Sequence, residues 1–449
     1  MRLLNTNAER LQEIAAEAIA IARELGADHA VASVGAHAAI NVTARAGQTD
    51  VALRDAGQGL TLTLYRGARA GSASTAALDD AAIRTVAREA FAMAELTGED
   101  PEGLPAALEE MATDALLPPI DAPSGCDPAR LRELALEGDA LLRDASTPDT
   151  RIDTMTASAR TSEGAMALAT SAGFCRGQTY THHNVSLVAL AHGEDGAVND
   201  YAESTDRRFD CLQPIPALAS AVVGRARDQL GARSVSAQGA PVLFEARAAS
   251  ALIGDLVGAL SGQPQHRGAT FLPDALGKRV AADHLDLLED PLEPFGLASG
   301  GFDGEGIAGR KRAILRGGEV EGLFLGLRSA RQLGMTSTGN AGGPWNLRLV
   351  SRDQGGSFDD LCRTMERGLV VRRLHGGALD RVSGNWTFAV TGTWVEDGAP
   401  AYPVTDVTVG GNMRDMLREI VAVGEDVYRN GAIRTGSILI EKMQIGGAS

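Results

Sequence analysis

Residues 239–262 read GAPVLFEARAASALIGDLVGALSG. Residues 241–244, PVLF, form a short apolar run that predicts a buried strand. From Arg247 onward, Ala249, Leu252, Ile253, Leu256, Val257 and Leu260 recur at helical spacing. They predict one apolar stripe on a helix ending near Ser261. Gly254, Asp255, Gly258 and Ala259 fall beside that stripe on a small face, and Gly254 and Asp255 are expected to front a cavity. A buried strand feeding straight into an amphipathic helix marks the start of a new folding unit. The chain is therefore expected to divide near residues 231–239.

Upstream, residues 11–25 predict an amphipathic helix stopped by Gly26. Residues 29–34, 39–46, 50–55 and 59–66 alternate like antiparallel strands, with Gly57 and Gly67 as punctuation. Residues 79–97 predict a helix with Asp79 or Asp80 as N-cap. Residues 98–127 are rich in Pro, Gly and acids and predict a linker. Pro128 then opens a helix to about Asp144, at a position where its missing N–H does no harm. Residues 152–191 alternate, with turns expected near Gly164, Gly173 and Gly177, as a second sheet or an extension of the first. Residues 212–230 predict another helix. Beyond Gly262 strands and turns dominate, with helices expected at 357–366 and 412–426. Runs of strands with a few helices indicate an α+β fold. Its N-terminal α/β half, with antiparallel strands and flanking helices, covers residues 1–105 and 120–231. A β-rich C-terminal domain covers residues 239–449.

The chain has 449 residues, long enough for two or three domains and a sizeable core. Its 42 Lys and Arg face 58 acids, a formal charge of −16 without a basic stripe, which disfavours nucleic acid as a partner. No apolar run is long enough for a membrane span. The start of the chain carries Glu9, Glu13 and Glu17 on a helical pattern and does not resemble a secretory signal. Cys126, Cys175, Cys211 and Cys362 are too irregularly spaced for a disulfide framework or a zinc knuckle, so free thiols in a cytoplasmic protein are expected.

Few polar clusters have the spacing of a site. His182 and His183 are adjacent in a predicted strand and point to opposite faces, so they cannot chelate one ion together; His192 stands nine positions on. Asp283-His284-x-Asp286 could be an acid-base or ligand pair, or a solvated strand end ahead of Asp290-Pro291, and His266 and His375 stand alone. Asp303-Gly304-Glu305-Gly306 places two carboxylates in a glycine turn. They could position a substrate amine or a cation, or serve acid-base chemistry, or tie the turn together by Asx-type hydrogen bonds. Ser337-Thr338-Gly339-Asn340-Ala341-Gly342-Gly343 is a polar, glycine-dense loop that could line a cleft and hold an extended peptide. No phosphate-binding loop and no Gly-x-Ser-x-Gly elbow is present.

Two further stretches carry a resemblance. Residues 300–343 read GGFDGEGIAGRKRAILRGGEVEGLFLGLRSARQLGMTSTGNAGG, and residues 383–417 read SGNWTFAVTGTWVEDGAPAYPVTDVTVGGNMRDML. With residues 239–262 they resemble the TldD/PmbA family. The family shows an acidic Asp-x-Glu-Gly turn, a Ser-Ala-Arg segment, a Ser-Thr-Gly-Asn-Ala run and a Tyr-Pro-Val strand at these spacings. Its zinc-bearing subunit carries His-Glu-x-x-x-His on the helix after residue 245. Laid on this chain, the first His falls on Gly254, the Glu on Asp255 and the second His on Ala259. Glycine and alanine have no donor atom for zinc. The stretch Arg434-Thr435-Gly436-Ser437 lies roughly where that subunit offers a cysteine ligand. Two departures stand out: Gly376-Gly377-Ala378-Leu379-Asp380 replaces a Gly-Val-Asn-type turn, and Ser383-Gly384-Asn385-Trp386 replaces a Thr-Gly-Asp-Phe-like one.

The resemblance implies a zinc-free subunit of a TldD–TldE-type metallopeptidase that cleaves unfolded or short peptides. This chain would hold no metal and no catalytic residue, and a TldD-like homologue would bring the zinc in a heterodimer. Asp303, Glu305, Ser337, Thr338, Gly339 and Asn340 are the candidate substrate-cleft residues. The rival readings are a homodimeric peptide-binding or scaffold protein, a subunit of a natural-product amide hydrolase, and an independent hydrolase using Asp303, Glu305 or His284.

Overall fold

The structure is a computed structural model that describes residues 2–447 except 126, 195 and 354. Its N-terminal half is built on one six-stranded antiparallel sheet. The strands are β1 (His29–Arg45), β2 (Gln48–Arg66), β3 (Arg69–Thr75), β4 (Arg151–Thr170), β5 (Cys175–Gly193) and β6 (Gly196–Asp206), in the order β3-β2-β1-β4-β5-β6. The stretches before and after the expected linker thus share one sheet, joined where β1 pairs with β4. Helices α1 (Ala8–Glu24), α2 (Asp80–Leu96), α3 (Pro128–Asp144) and α4 (Ile215–Arg227) pack on the sheet. Each of the first three is capped by a side chain, Asn7, Asp79 and Asp127 respectively. Alternate residues of β1 (Ala30, Ala32, Val34, Ala36, Ala38, Ile40, Val42, Ala44) are buried, as period-two alternation requires.

The strands are longer than their sequence pattern suggests, because two expected glycine turns are strand interiors. A Cβ on Gly57 would lie 2.6 Å from the His37 ring, and one on Gly164 would lie 2.2 Å from the Tyr180 ring. Both glycines make room for a bulky cross-strand partner and do not turn the chain. The expected linker is packed rather than loose. Ala106, Met111, Ala112 and Ile120 are buried, and the first three join Phe174, Phe302 and Leu327 in a small core between the halves. Its carbonyls accept from Arg331 (Glu102, Leu104 and Pro105), Arg176 (Ala112 and Thr113) and Gln178 (Pro118).

The C-terminal half opens with β7 (Gln238–Phe244), which runs into α5 (Ala246–Ala259). After α6 (Gly262–Arg267), strands β8 (Leu285–Asp290), β9 (Arg312–Arg316) and β10 (Glu319–Val320) precede α7 (Leu327–Gln332) and β11 (Asn346–Ser351). Then follow α8 (Phe358–Met365), β12 (Gly368–Leu379), β13 (Asn385–Glu396), β14 (Ala399–Asn412), α9 (Met413–Arg418), β15 (Ile420–Val423), β16 (Ile433–Arg434) and β17 (Ile438–Gly446). One sheet runs β10-β9-β8-β11-β16 and the other β14-β13-β12-β7-β17-β15. An added pairing of β14 with β17 closes five strands of the second sheet into a ring. The helix expected over 412–426 stops at Arg418, and the apolar run that follows pairs with β17 instead.

Ala249, Leu252, Ile253, Leu256, Val257 and Leu260 are all buried and belong to the largest core, with Phe244, Trp386 and Trp394. Burying each of the Leu, Ile and Val side chains contributes roughly 1.5–3 kcal/mol before entropy is counted. This anchors α5 and leaves its opposite face to other uses.

The open face of helix α5 and its surroundings

Gly254, Asp255 and Gly258 are half-buried, and Ala251 beside them is exposed. A Cβ on Gly254 would come no nearer than 3.9 Å to any neighbour, the Cδ1 of Ile433, and one on Gly258 would meet nothing within 4 Å. Neither glycine has a positive φ. Backbone conformation therefore does not require glycine here, and neither does crowding. Each costs a helix interior roughly 1 kcal/mol relative to alanine. The result is an open face of bare backbone with one carboxylate at its edge.

Ala259 does not share this face. It stands two helical turns after Leu252, so it points the same way and is buried in the core.

Asp255 Oδ2 accepts a hydrogen bond from the indole Nε1 of Trp386 at 3.2 Å. Trp386 is buried at the start of β13, edge-on to Phe244 and tilted over Phe388. Burial raises the proton affinity of Asp255, while the indole N–H and the charge of Arg381 oppose the rise. Asp255 and Trp386 both depart from the family pattern in sequence, and in space they are partners. A phenylalanine has no N–H, so the pairing needs the tryptophan.

The remaining motif position gives no donor. Thr435 is fully buried and its hydroxyl donates to the carbonyl of Gly436 at 2.9 Å. Among the described residues no group of three or more His, Cys, Asp or Glu side chains could hold a metal ion. The donors around α5 do not fit zinc.

The acidic turn and the polar loop meet each other. Gly304 N donates to Ala341 O at 3.1 Å and Ala341 N to Asp303 Oδ2 at 2.9 Å. Asp303 is buried and also accepts from the N–H groups of Glu305 and Ile307. Glu305 Oε2 accepts from Leu327 N at 2.6 Å, at the start of α7. Burial raises the proton affinity of both carboxyls against these donors. Asn340 is buried with its amide donating to Glu289 Oε1 and its Oδ1 accepting from Thr338 and Arg312. Glu289 in turn holds Arg312 at 2.8 Å and accepts from Trp345 N. Gly339 has φ +71°, and a Cβ there would strike Ala308 O at 2.6 Å. Ser337 donates to Leu325 O. The polar atoms of Asp303 and Asn340 are thus committed to folding partners. Asp255 hydrogen-bonds to Trp386 and not to this cluster.

The histidines are placed as structural groups. His183 is buried with Nδ1 2.7 Å from Thr161 Oγ1, while His182 points to the other face of the sheet. His192 lies 2.8 Å from Asp153. His284 bridges Ser351 Oγ and Ile420 O, and Asp286 accepts from Gly317 N in a turn. His375 Nε2 lies 3.2 Å from Thr391 Oγ1. Cys175, Cys211 and Cys362 are free, and Cys126 lies outside the described residues. Among the described residues no helix is long and apolar enough to cross a membrane.

Comparison with known proteins agrees with this architecture. Residues 237–447 match a family model described as the PmbA/TldA metallopeptidase C-terminal domain, and residues 121–230 match the corresponding central domain. The chain is 34% identical to metalloprotease PmbA of Escherichia coli O157:H7, over 98% of this chain and 97% of that protein. It is 31% identical to a metalloprotease PmbA homolog of Haemophilus influenzae, over 99% and 98% of the two chains. Among solved structures, TldE from Thermococcus kodakarensis superposes with a TM-score of 0.84 at 18% identity, covering 97% of this chain and all of that one.

Proposed function

The chain belongs to the TldD/PmbA metallopeptidase family, and from that premise we propose that it is the metal-free subunit of a two-subunit peptidase. In this reading a TldD-like homologue brings zinc and the water that zinc activates. This chain supplies half of a closed chamber and part of the wall along which an unfolded or short peptide lies, for leader-peptide processing or degradation in the cytoplasm. Where the partner is lacking, the chain forms a homodimer without peptidase activity.

The observation that carries the reading is the open face of α5. The helix keeps its anchoring stripe, and Gly254 and Gly258 hold a surface clear at some cost in helix stability. An extended chain can approach bare backbone more closely than it can approach side chains. Asp255 has one oxygen taken by Trp386 and no metal to work with. Its role is to shape or orient the substrate and not to act as general base.

The test is reconstitution with the metal-bearing homologue and a dye-quenched unstructured peptide. Replacing the glutamate of the homologue's His-Glu-x-x-x-His motif with alanine abolishes turnover. Asp255→Ala lowers turnover modestly or shifts substrate preference. Full activity of this chain alone after chelation overturns the proposal.

A further inference from the structure

Helix α5 is held at two points by a circuit of contacts that runs through the edge strand of the N-terminal sheet. The first point is its opening turn. Arg247 Nη1 donates to Asp200 Oδ1 on β6 at 3.0 Å and to Tyr201 O at 3.1 Å, and its guanidinium lies over the Tyr201 ring at 4.3 Å. A cation in the first turn of a helix opposes the helix dipole, so Arg247 is there for the strand and not for the helix. Asp200 is 1% exposed and also accepts from Gln229 Nε2 and Tyr201 N, with Arg225 Nε at 3.6 Å.

The second point is the first N–H of α5, reached through the segment 426–437. Two residues beyond Tyr201, Glu203 accepts from the Tyr428 hydroxyl at 2.7 Å. The Asn430 side-chain amide then pairs with β6 as a neighbouring strand would. Its Nδ2 donates to Glu203 O at 2.8 Å and its Oδ1 accepts from Thr205 N at 3.0 Å. From there β16, which carries Ile433, lies beside α5, and Ser437 Oγ accepts from Ala246 N, the first N–H of α5. The circuit leaves α5 at Arg247, follows β6 and returns to the helix at Ala246.

We propose that Asp200 and Arg247, with Glu203, Tyr428 and Asn430, are positioning residues that fix the open face of α5 against the N-terminal sheet. Any displacement of the β6 edge is then passed to the helix through both contacts. Polar contacts suit such a seam because they are directional. Arg225 Nε, Arg247 Nη2 and Glu245 Oε2 are buried there without a hydrogen-bond partner, so this seam is less completely satisfied than the apolar cores on either side. The coupling is a property of the lone chain, and only its effect on turnover rests on the function proposed above.

Hydrogen exchange of the full chain tests it, read by mass spectrometry over residues 246–260 and 426–437. Asp200→Asn leaves two half-buried guanidiniums without their carboxylate. It is expected to speed exchange in both segments by roughly tenfold or more while α1 and α2 stay protected. Tyr428→Phe is the milder variant should Asp200→Asn fail to fold. Tyr428 makes its hydrogen bond to β6, yet exchange in the first turn of α5 is expected to quicken as well. Acceleration confined to residues next to the substituted side chain, with α5 unchanged in a folded protein, overturns the proposal. Coupled exchange with unaltered peptide turnover would fault the functional reading and leave the coupling standing.

Discussion

Replacing both glycines of the open α5 face, Gly254→Ala with Gly258→Ala, is expected to stabilise the protein and impair its function together. Alanine is better than glycine in a helix interior by roughly 0.8–1 kcal/mol, so the pair contributes about 2 kcal/mol. No steric cost offsets this, since the nearest atom to either new methyl is Ile433 Cδ1 at 3.9 Å from the first. For a domain of 150–250 residues 1 kcal/mol moves the melting temperature by ~2–4 °C, and a rise of a few degrees is expected here. Gly71→Ala is the contrast. Its Cβ would lie 2.1 Å from Ala90 O and 2.4 Å from Ala94 N, so it must destabilise. In the reconstituted peptidase the two methyls stand where a substrate backbone would lie, and turnover should fall by ~10-fold or more. Urea denaturation and hydrolysis of the quenched peptide measure the two effects on one preparation. A destabilised double variant would mean that the face is packed in solution. A stabilised one with unchanged turnover would mean that no substrate uses it.

Trp386→Phe removes the N–H that Asp255 accepts, so the Asp255 carboxyl should titrate still higher, at a cost of about 1 kcal/mol; carbon-13 NMR of the carboxyl across pH reads the shift, and an unmoved titration contradicts it. Asn340→Ala takes a donor from the buried Glu289 and should cost ~1–3 kcal/mol in urea, with turnover per folded molecule unchanged; a selective loss of turnover would restore Asn340 as a cleft residue. Burial holds the His183 imidazole below its usual 6.5, so the unfolded chain binds its proton more readily than the folded one. Stability from this group is complete above the unfolded value and is lost as pH falls from 6.5 toward the folded value. The wild type should therefore lose more stability than His183→Gln on acidification through that window, and parallel losses would refute the assignment. Burial pushes the Cys362 thiol up to about 11, so it should resist a thiol reagent until the chain unfolds, whereas the exposed Cys211 reacts in the native state.

The apolar stripe of α5 was legible because helical periodicity is a local property, and all six of its residues are buried. Ala259, two turns after Leu252 and one after Asp255, is buried in the core. Gly57 and Gly164 were misread as turns because their reason lies across the sheet, in His37 and Tyr180. The packed strap at 98–127 could not be foreseen, since its partners Phe302 and Arg331 stand some 200 residues away. The acidic turn and polar loop could be singled out from composition. That Asp303 and Asn340 spend their polar atoms on the fold is a tertiary fact. Trp386 was visible as a departure from the family pattern, but its meeting with Asp255 depends on how the β-ring closes against α5.

The central claim is that this chain works without a metal of its own beside a homologue that has one. The direct test is to purify it from its native host with its partners, and to count zinc per chain in the complex and in the separated chain. The account predicts a complex with a His-Glu-x-x-x-His homologue, zinc that stays with that homologue, and no tightly held transition metal on this chain. One tightly bound transition metal on the separated chain, held by its own side chains, would contradict it.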